Sequence, residues 1–191
     1  MLFLWYTIGT RLEGDIMDNF IENKKIALFV VNLVSKMYHL DDAVLVEFHP
    51  ASRFPNPEVT AMVTRDYRIL YNIDRLKVAP DYELYITSFH EMRHIYQYCC
   101  IDFGHKLAFK KYFKELKERI KQWEYEFKHY YVSEIENDLK YLGQDCELDA
   151  ISFAFLMMKK LYDADVIVPA VIKDKVAERV KEISKQIGLD K

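Results

Sequence analysis

The sequence predicts an α+β fold: an N-terminal helix, a small, mostly antiparallel sheet, a helix carrying the motif HExxH, and further helices to the C-terminus. Two changes of hydrophobic period point to it. Apolar residues recur at helical spacing up to about residue 40, alternate in twos over 43–74, and return to helical spacing beyond Asp81. Composition is the third observation. A chain of 191 residues, 51% hydrophobic and 30% charged, with five Gly and five Pro, can bury one sizeable core. It is not collagen-like, low-complexity or disordered.

The first residues stand apart. Met1-Leu-Phe-Leu-Trp-Tyr-Thr-Ile8 is apolar, lacks a basic leader and gives way to Gly9, Asp15 and Asp18. It is too short to span a bilayer and a poor signal peptide. Residues 1–16 are read as an extension outside the core, and 17–191 as a single domain. Met17 is the expected natural start, because codons for Leu12-Glu13-Gly14 can spell a ribosome-binding purine run upstream of it. Native protein beginning at Met1 would refute this.

From about Asn19 to Leu40, Phe20, Ile26, Phe29, Val30, Leu33, Val34 and Met37 mark one helical face. Val44, Val46 and Phe48 then alternate as in a strand, and Pro50, Pro55 and Pro57 punctuate a loop. Val59, Ala61 and Val63 alternate again, Arg65-Asp66 suits a tight turn, and Tyr67 to Ile73 is rich in strand formers, which predicts a hairpin. Asp81 is placed to cap the next helix and Gly104 to stop it. A helix with Phe109, Tyr112, Phe113, Leu116, Ile120, Trp123, Phe127 and Tyr130 on one face follows. Another holds Ile135, Leu139, Leu142, Ile151, Ala154 and Met158, and a last one Ile172, Val176, Val180, Ile183 and Ile187.

The chemistry is concentrated in His90-Glu91-Met92-Arg93-His94. Residues four apart share a helix face, so the imidazoles of His90 and His94 can converge on one ion. Imidazole nitrogen suits zinc, which takes about four ligands in a tetrahedron. Glu91 sits about 100° round the helix from His90. It is too displaced to be a natural third ligand, yet close enough to take a proton from a water polarised by the ion and to return it to a leaving amine.

A catalytic zinc needs a third protein ligand. Asp145, Cys146, Glu147 and Asp149 are all candidates within one stretch. Around Glu147 on a helix lie Gly143, Ala150 and Ala154, small residues that allow close approach to another helix. Asp149 points about 200° away from Glu147, so it is expected to support the site instead, paired with Arg93 or with a ligating imidazole. Gln97, one turn beyond the histidines, is placed to orient a ligand or touch substrate.

HExxH followed on a later helix by a carboxylate resembles the zincin metallopeptidases in their glutamate-ligand, or gluzincin, branch. His90 to Gln97 together with Glu147-Leu148-Asp149-Ala150 and Phe153-Ala154 look like small cytoplasmic zincins of bacteria, phages and mobile elements, similar to the family of repressor-cleaving metallopeptidases. The likeness covers two motifs and the element order. It implies a minimal zincin-like fold and one zinc ion held by His90, His94 and Glu147. It also implies Glu91 as general base and acid, and a strand edge that takes an extended peptide, here on the hairpin ending in Tyr67–Ile73. One departure stands out. Many gluzincins carry an Asp four residues after the ligand Glu, and here that residue is Ile151. Either Asp149 takes that part, or Asp145 is the ligand, with Asp149 four residues on.

Hydrolysis also needs a donor for the developing oxyanion. Tyr96, Tyr98, His105, His129, Tyr131 and Tyr141 are available, and spacing does not choose among them. Cys99 and Cys100 read as packing residues, Cys146 as a small buried residue, and His39 and His49 as structural. Three cysteines make neither a disulfide framework nor a zinc-finger pattern, and the reducing cytoplasm is the expected compartment. Lys+Arg 27 against Asp+Glu 30 gives a net charge of −3, without the basic excess that draws nucleic acid or anionic membrane. The lysine-rich run from His105 to Gln122 reads as the wet side of a helix. The expected function is zinc-dependent cleavage of peptide or protein substrate. The alternative is a zincin-like binding or regulatory module of a mobile element with little turnover.

Overall fold

The computed structural model describes residues 16–40, 43–106, 111–132 and 138–189. Of the extension read at 1–16, residues 1–15 lie outside them, including Leu12–Gly14 ahead of the expected start at Met17, as do Phe109 and Ile135. Among the described residues the fold is α+β, with seven α-helices and one three-stranded sheet.

The helix read from residue 19 forms α1, Ile16–Tyr38, but Phe29, read as part of its apolar face, is 53% exposed. Its inward residues Ala27, Val30, Val31, Val34 and Tyr38 are buried. Where the period changes, β1 spans Leu45–His49, β2 Ala61–Val63 and β3 Arg68–Asn72. β2 and β3 form the expected hairpin, with Ala61 opposite Tyr71 and Val63 opposite Ile69. The sheet as a whole is mixed, not mostly antiparallel. β1 runs parallel to β3 over five residue pairs, and the strand order is β1-β3-β2. The Pro-punctuated loop over 50–57 lies where the chain passes from β1 to the far side of β3, and β2 then runs back to the starting end, which a parallel pairing of β1 with β3 requires. β3 is therefore central, and the Tyr67–Ile73 strand has no open edge; the edges are β1 and β2.

Asn72 ends β3 and caps the short helix α2, Ile73–Leu76, by accepting from the backbone of Asp74 and Arg75. Its amide nitrogen donates to the carbonyls of Pro57 and Val59, at 2.8 and 2.9 Å. From α1, Asn23 Nδ2 donates to Leu76 O and Ala79 O, both at 2.8 Å. These bonds fix the entry of α3, Asp81–Phe103. Pro80, not Asp81, stands at its cap, and Asp81 lies in the first turn, where a carboxylate favours the helix dipole. Gly104 closes the helix as expected. Tyr71 donates to Ser88 at 2.8 Å and ties β3 to the middle of α3.

The fourth helix begins later than its apolar stripe suggests. α4 is Lys117–Lys128, and Leu116 before it is extended at φ −67°, ψ 139°. Phe113 is still buried. The segment leaves helical form because Glu115 is drawn into a buried ion-pair network, which outweighs local helix propensity. The next expected helix is broken at Gly143-Gln144 into α5, Leu139–Leu142, and α6, Asp145–Tyr162. α7, Lys173–Ile187, follows its predicted stripe. α3 packs between α1 and α6, and α7 lies on α6. Among the described residues no helix is long and apolar enough to cross a membrane.

Candidate metal centre

α3 is buried along most of its middle, from Ser88 to Gln97. His90 and His94 face α6 there, and the first turn of α6 presents Glu147 to them. Ala150 and Ala154, fully buried, allow the two helices this approach. The end of α4 fixes the start of α6. Glu126 accepts from the backbone of Asp145 at 2.9 Å and of Cys146 at 2.8 Å, satisfying amides that a helix start leaves open.

The three side chains meet. His90 Nε2 and His94 Nε2 are 3.0 Å apart. Glu147 Oε2 is 3.4 Å from the first, and Glu147 Oε1 is 3.2 Å from the second. A tetrahedral zinc with ligands at about 2.0–2.1 Å holds neighbouring donors about 3.3 Å apart. The observed separations match that spacing without rearrangement. All three residues are at most 4% exposed.

The proton positions favour a cation as well. Gln97 Nε2 lies 2.8 Å from Cys146 O and 2.7 Å from Asp149 Oδ2, both pure acceptors, which fixes the orientation of its amide. Gln97 Oε1 therefore faces His94 Nδ1, at 2.8 Å, and that nitrogen carries the proton. In the neutral imidazole His94 Nε2 is then the lone pair, turned to the carboxylate at 3.2 Å. Burial pulls the His94 pKa down, yet the Glu147 carboxylate outweighs it and raises it to about 9. Burial opposes ionisation of Glu147 too, but the imidazoles hold its carboxyl well below the usual carboxylate range. A buried cluster of this kind takes up positive charge, as a proton or as a metal ion.

No family model, curated protein or solved structure matches the chain. The site is accordingly read from its own donors. His90, His94 and Glu147 form the one group among the described residues able to hold a metal ion. Asp145 is not in it; its side chain lies 3.5 Å from Arg119. Cys146 contributes a carbonyl to Gln97 and buries its thiol.

Glu91 is buried beside the pair, and none of the described residues hydrogen-bonds its carboxylate. Burial raises its pKa above the usual value, against the pull of both imidazoles. Asp149 is paired with Arg93, whose Nε and Nη2 donate to its two oxygens at 2.8 and 3.0 Å, and it reaches His94 through Gln97. Of the two alternatives for Asp149, the structure has the pairing with Arg93, and the imidazole is reached only through Gln97.

Three neighbours, Tyr130, Glu115 and Arg179, escaped the sequence reading. Tyr141 donates to Glu147 Oε2 at 2.6 Å, and Tyr130 donates to Oε1. Tyr141 was one of six oxyanion candidates; Tyr130 read only as a member of an apolar stripe. Of the others, Tyr131 donates to Asp138, Tyr96 packs under Arg93, Tyr98 lies against Phe127 with the rings tilted by 34°, and His105 and His129 are exposed. Glu115 and Arg179 close a ring of buried charge with Arg93 and Asp149. Arg93 Nη2 donates to Glu115 at 3.0 Å, and Arg179 reaches Asp149 through Nε and Glu115 through Nη2, both at 2.7 Å. Their unbroken solvent-type context in sequence gave no signal.

Proposed function

We propose that this chain is a zinc metallopeptidase of zincin-like arrangement that hydrolyses peptide bonds in peptide or protein substrates. The observation that carries the reading is the convergence of His90, His94 and Glu147 at zinc-ligand spacing, with Glu91 next to His90 on the same helix. Two imidazoles and one carboxylate are a donor set of catalytic zinc, which keeps a further position open.

When bound, the ion supplies Lewis-acid polarisation of the scissile carbonyl and acidifies water toward a pKa of about 7. Glu91 takes the proton of the attacking water and delivers it to the leaving amine. Its place beside His90 on α3, buried and next to the imidazole pair, suits both steps. Gln97 and Asp149 keep His94 in the tautomer that leaves Nε2 free for the ion. Tyr130 and Tyr141 donate to the two oxygens of Glu147 and hold its carboxylate toward the imidazoles. An extended peptide adds to the open edge of β2, the edge strand that packs on α3, through backbone hydrogen bonds.

The test separates metal from turnover. With a quenched-fluorescence peptide library as substrate, Glu91→Gln should keep the ion of the wild type and lose cleavage by at least about a hundredfold. Undiminished cleavage would refute the role of Glu91. A wild type that holds the ion and cleaves nothing would favour a binding or regulatory module.

A further inference from the structure

α7 supplies none of the three clustered side chains, yet a line of hydrogen bonds joins it to them. Arg179 Nε donates to Asp149 Oδ1 at 2.7 Å. Gln97 Nε2 donates to the other oxygen of Asp149 at 2.7 Å, and His94 Nδ1 donates to Gln97 Oε1 at 2.8 Å. Three bonds lead from the last helix to the imidazole whose Nε2 faces Glu147.

We propose that Arg179 is a positioning residue of the metal centre, so that docking of α7 and affinity for the ion are one coupled equilibrium. This rests on the metal-centre reading above. Two guanidinium groups and two carboxylates form a buried ring, Arg93, Asp149, Arg179 and Glu115, which Glu182 and Arg119 extend from Arg179 and Glu115. The ring's own four side chains are at most 4% exposed. Arg93 Nη2 is shared by Asp149 and Glu115. Arg179 bridges the same two carboxylates from the opposite helix. Without that bridge, Asp149 and Glu115 compete for one nitrogen of Arg93, and the fork that sets the plane of Asp149 loosens. Gln97 then loses its anchor, and His94 its fixed tautomer. By linkage, an ion that favours the ordered His94 must favour docked α7 by the same factor.

The substitution Arg179→Lys keeps the charge and removes the fork, because one ammonium nitrogen cannot reproduce the separate Nε and Nη2 contacts. Metal-stripped protein is reloaded with zinc against a chromophoric chelator of known affinity. The expected loss in zinc affinity is about tenfold, in the range of outer-ligand substitutions. In a Gln97→Leu background, where the line is already cut, Arg179→Lys should change affinity less than about twofold. Equal losses in both backgrounds, or no loss in either, overturn the proposal while leaving the metal centre standing. A wild type that takes up no zinc overturns both. Should Arg179→Lys fail to fold, hydrogen exchange decides. Saturating zinc should slow the α7 amides of the wild type and not those of Gln97→Leu, and α7 exchange indifferent to zinc in the wild type refutes the coupling.

Discussion

Asp149→Asn removes one charge and almost no volume, and its cost can be worked from the structure. Asp149 accepts four hydrogen bonds, two on each oxygen. Arg93 Nη2 and Arg179 Nε reach Oδ1 at 3.0 and 2.7 Å, and Arg93 Nε and Gln97 Nε2 reach Oδ2 at 2.8 and 2.7 Å. An asparagine must put its NH2 against one of these donor pairs, so two bonds are lost whichever way the amide turns. Hydrogen bonds to charged groups contribute about 1.5–3 kcal/mol each, which gives a loss of about 3–6 kcal/mol. Removing one partner from a buried ion pair costs about 3–5 kcal/mol by an independent route. A loss of about 4 kcal/mol, with a urea slope of about 2 kcal/mol per molar, lowers the unfolding midpoint by about 2 M. Urea titration of metal-stripped protein, followed by the fluorescence of buried Trp123 and by circular dichroism, measures it. A midpoint lowered by less than about 0.5 M would refute the account of the charged ring.

Other consequences are independent of that ring. Glu126→Ala opens the first amides of α6 and should cost about 1–2 kcal/mol, read by the same titration, because it removes a cap. The tip of the β2–β3 hairpin is held by Asp102, which accepts from Arg65 at 2.7 Å and from Tyr67. Arg65, and then Tyr67 against the effect of burial, lower the pKa of Asp102. A carboxyl lowered in the folded state stabilises it above the unfolded value, about 3.9, and loses that effect as pH falls toward the folded value. The protection of the hairpin amides, relative to their intrinsic exchange at each pH, should therefore fall as the pH drops below about 4 in the wild type, and Asp102→Asn should show low protection at every pH.

What the sequence disclosed was what local spacing can carry. Two histidines four apart on a helix must share a face, and Glu147 among Gly143, Ala150 and Ala154 marks a face fit for close packing. Their meeting was therefore legible, as was the pairing of Arg93 with Asp149. Pairings without a local signature were not. The parallel register of β1 with β3 depends on which side of β3 each neighbour takes, and no local residue pattern marks that. Glu115 lies between lysines in a run that reads as a wet helix face, and Arg179 sits among Glu178, Val180 and Lys181 on an amphipathic helix. Only the fold, by bringing four charges from distant positions into one dry place, shows that they belong together. The late start of α4 has the same cause, since Glu115 reaches the ring from an extended segment.

The central claim is that two imidazoles of α3 and one carboxylate of α6 hold a single ion. Elemental analysis of protein purified without chelator tests it most directly, on wild type and His94→Ala side by side. One zinc ion per chain in the wild type and none in the variant is the expected result; a variant that retains the metal of the wild type would contradict it.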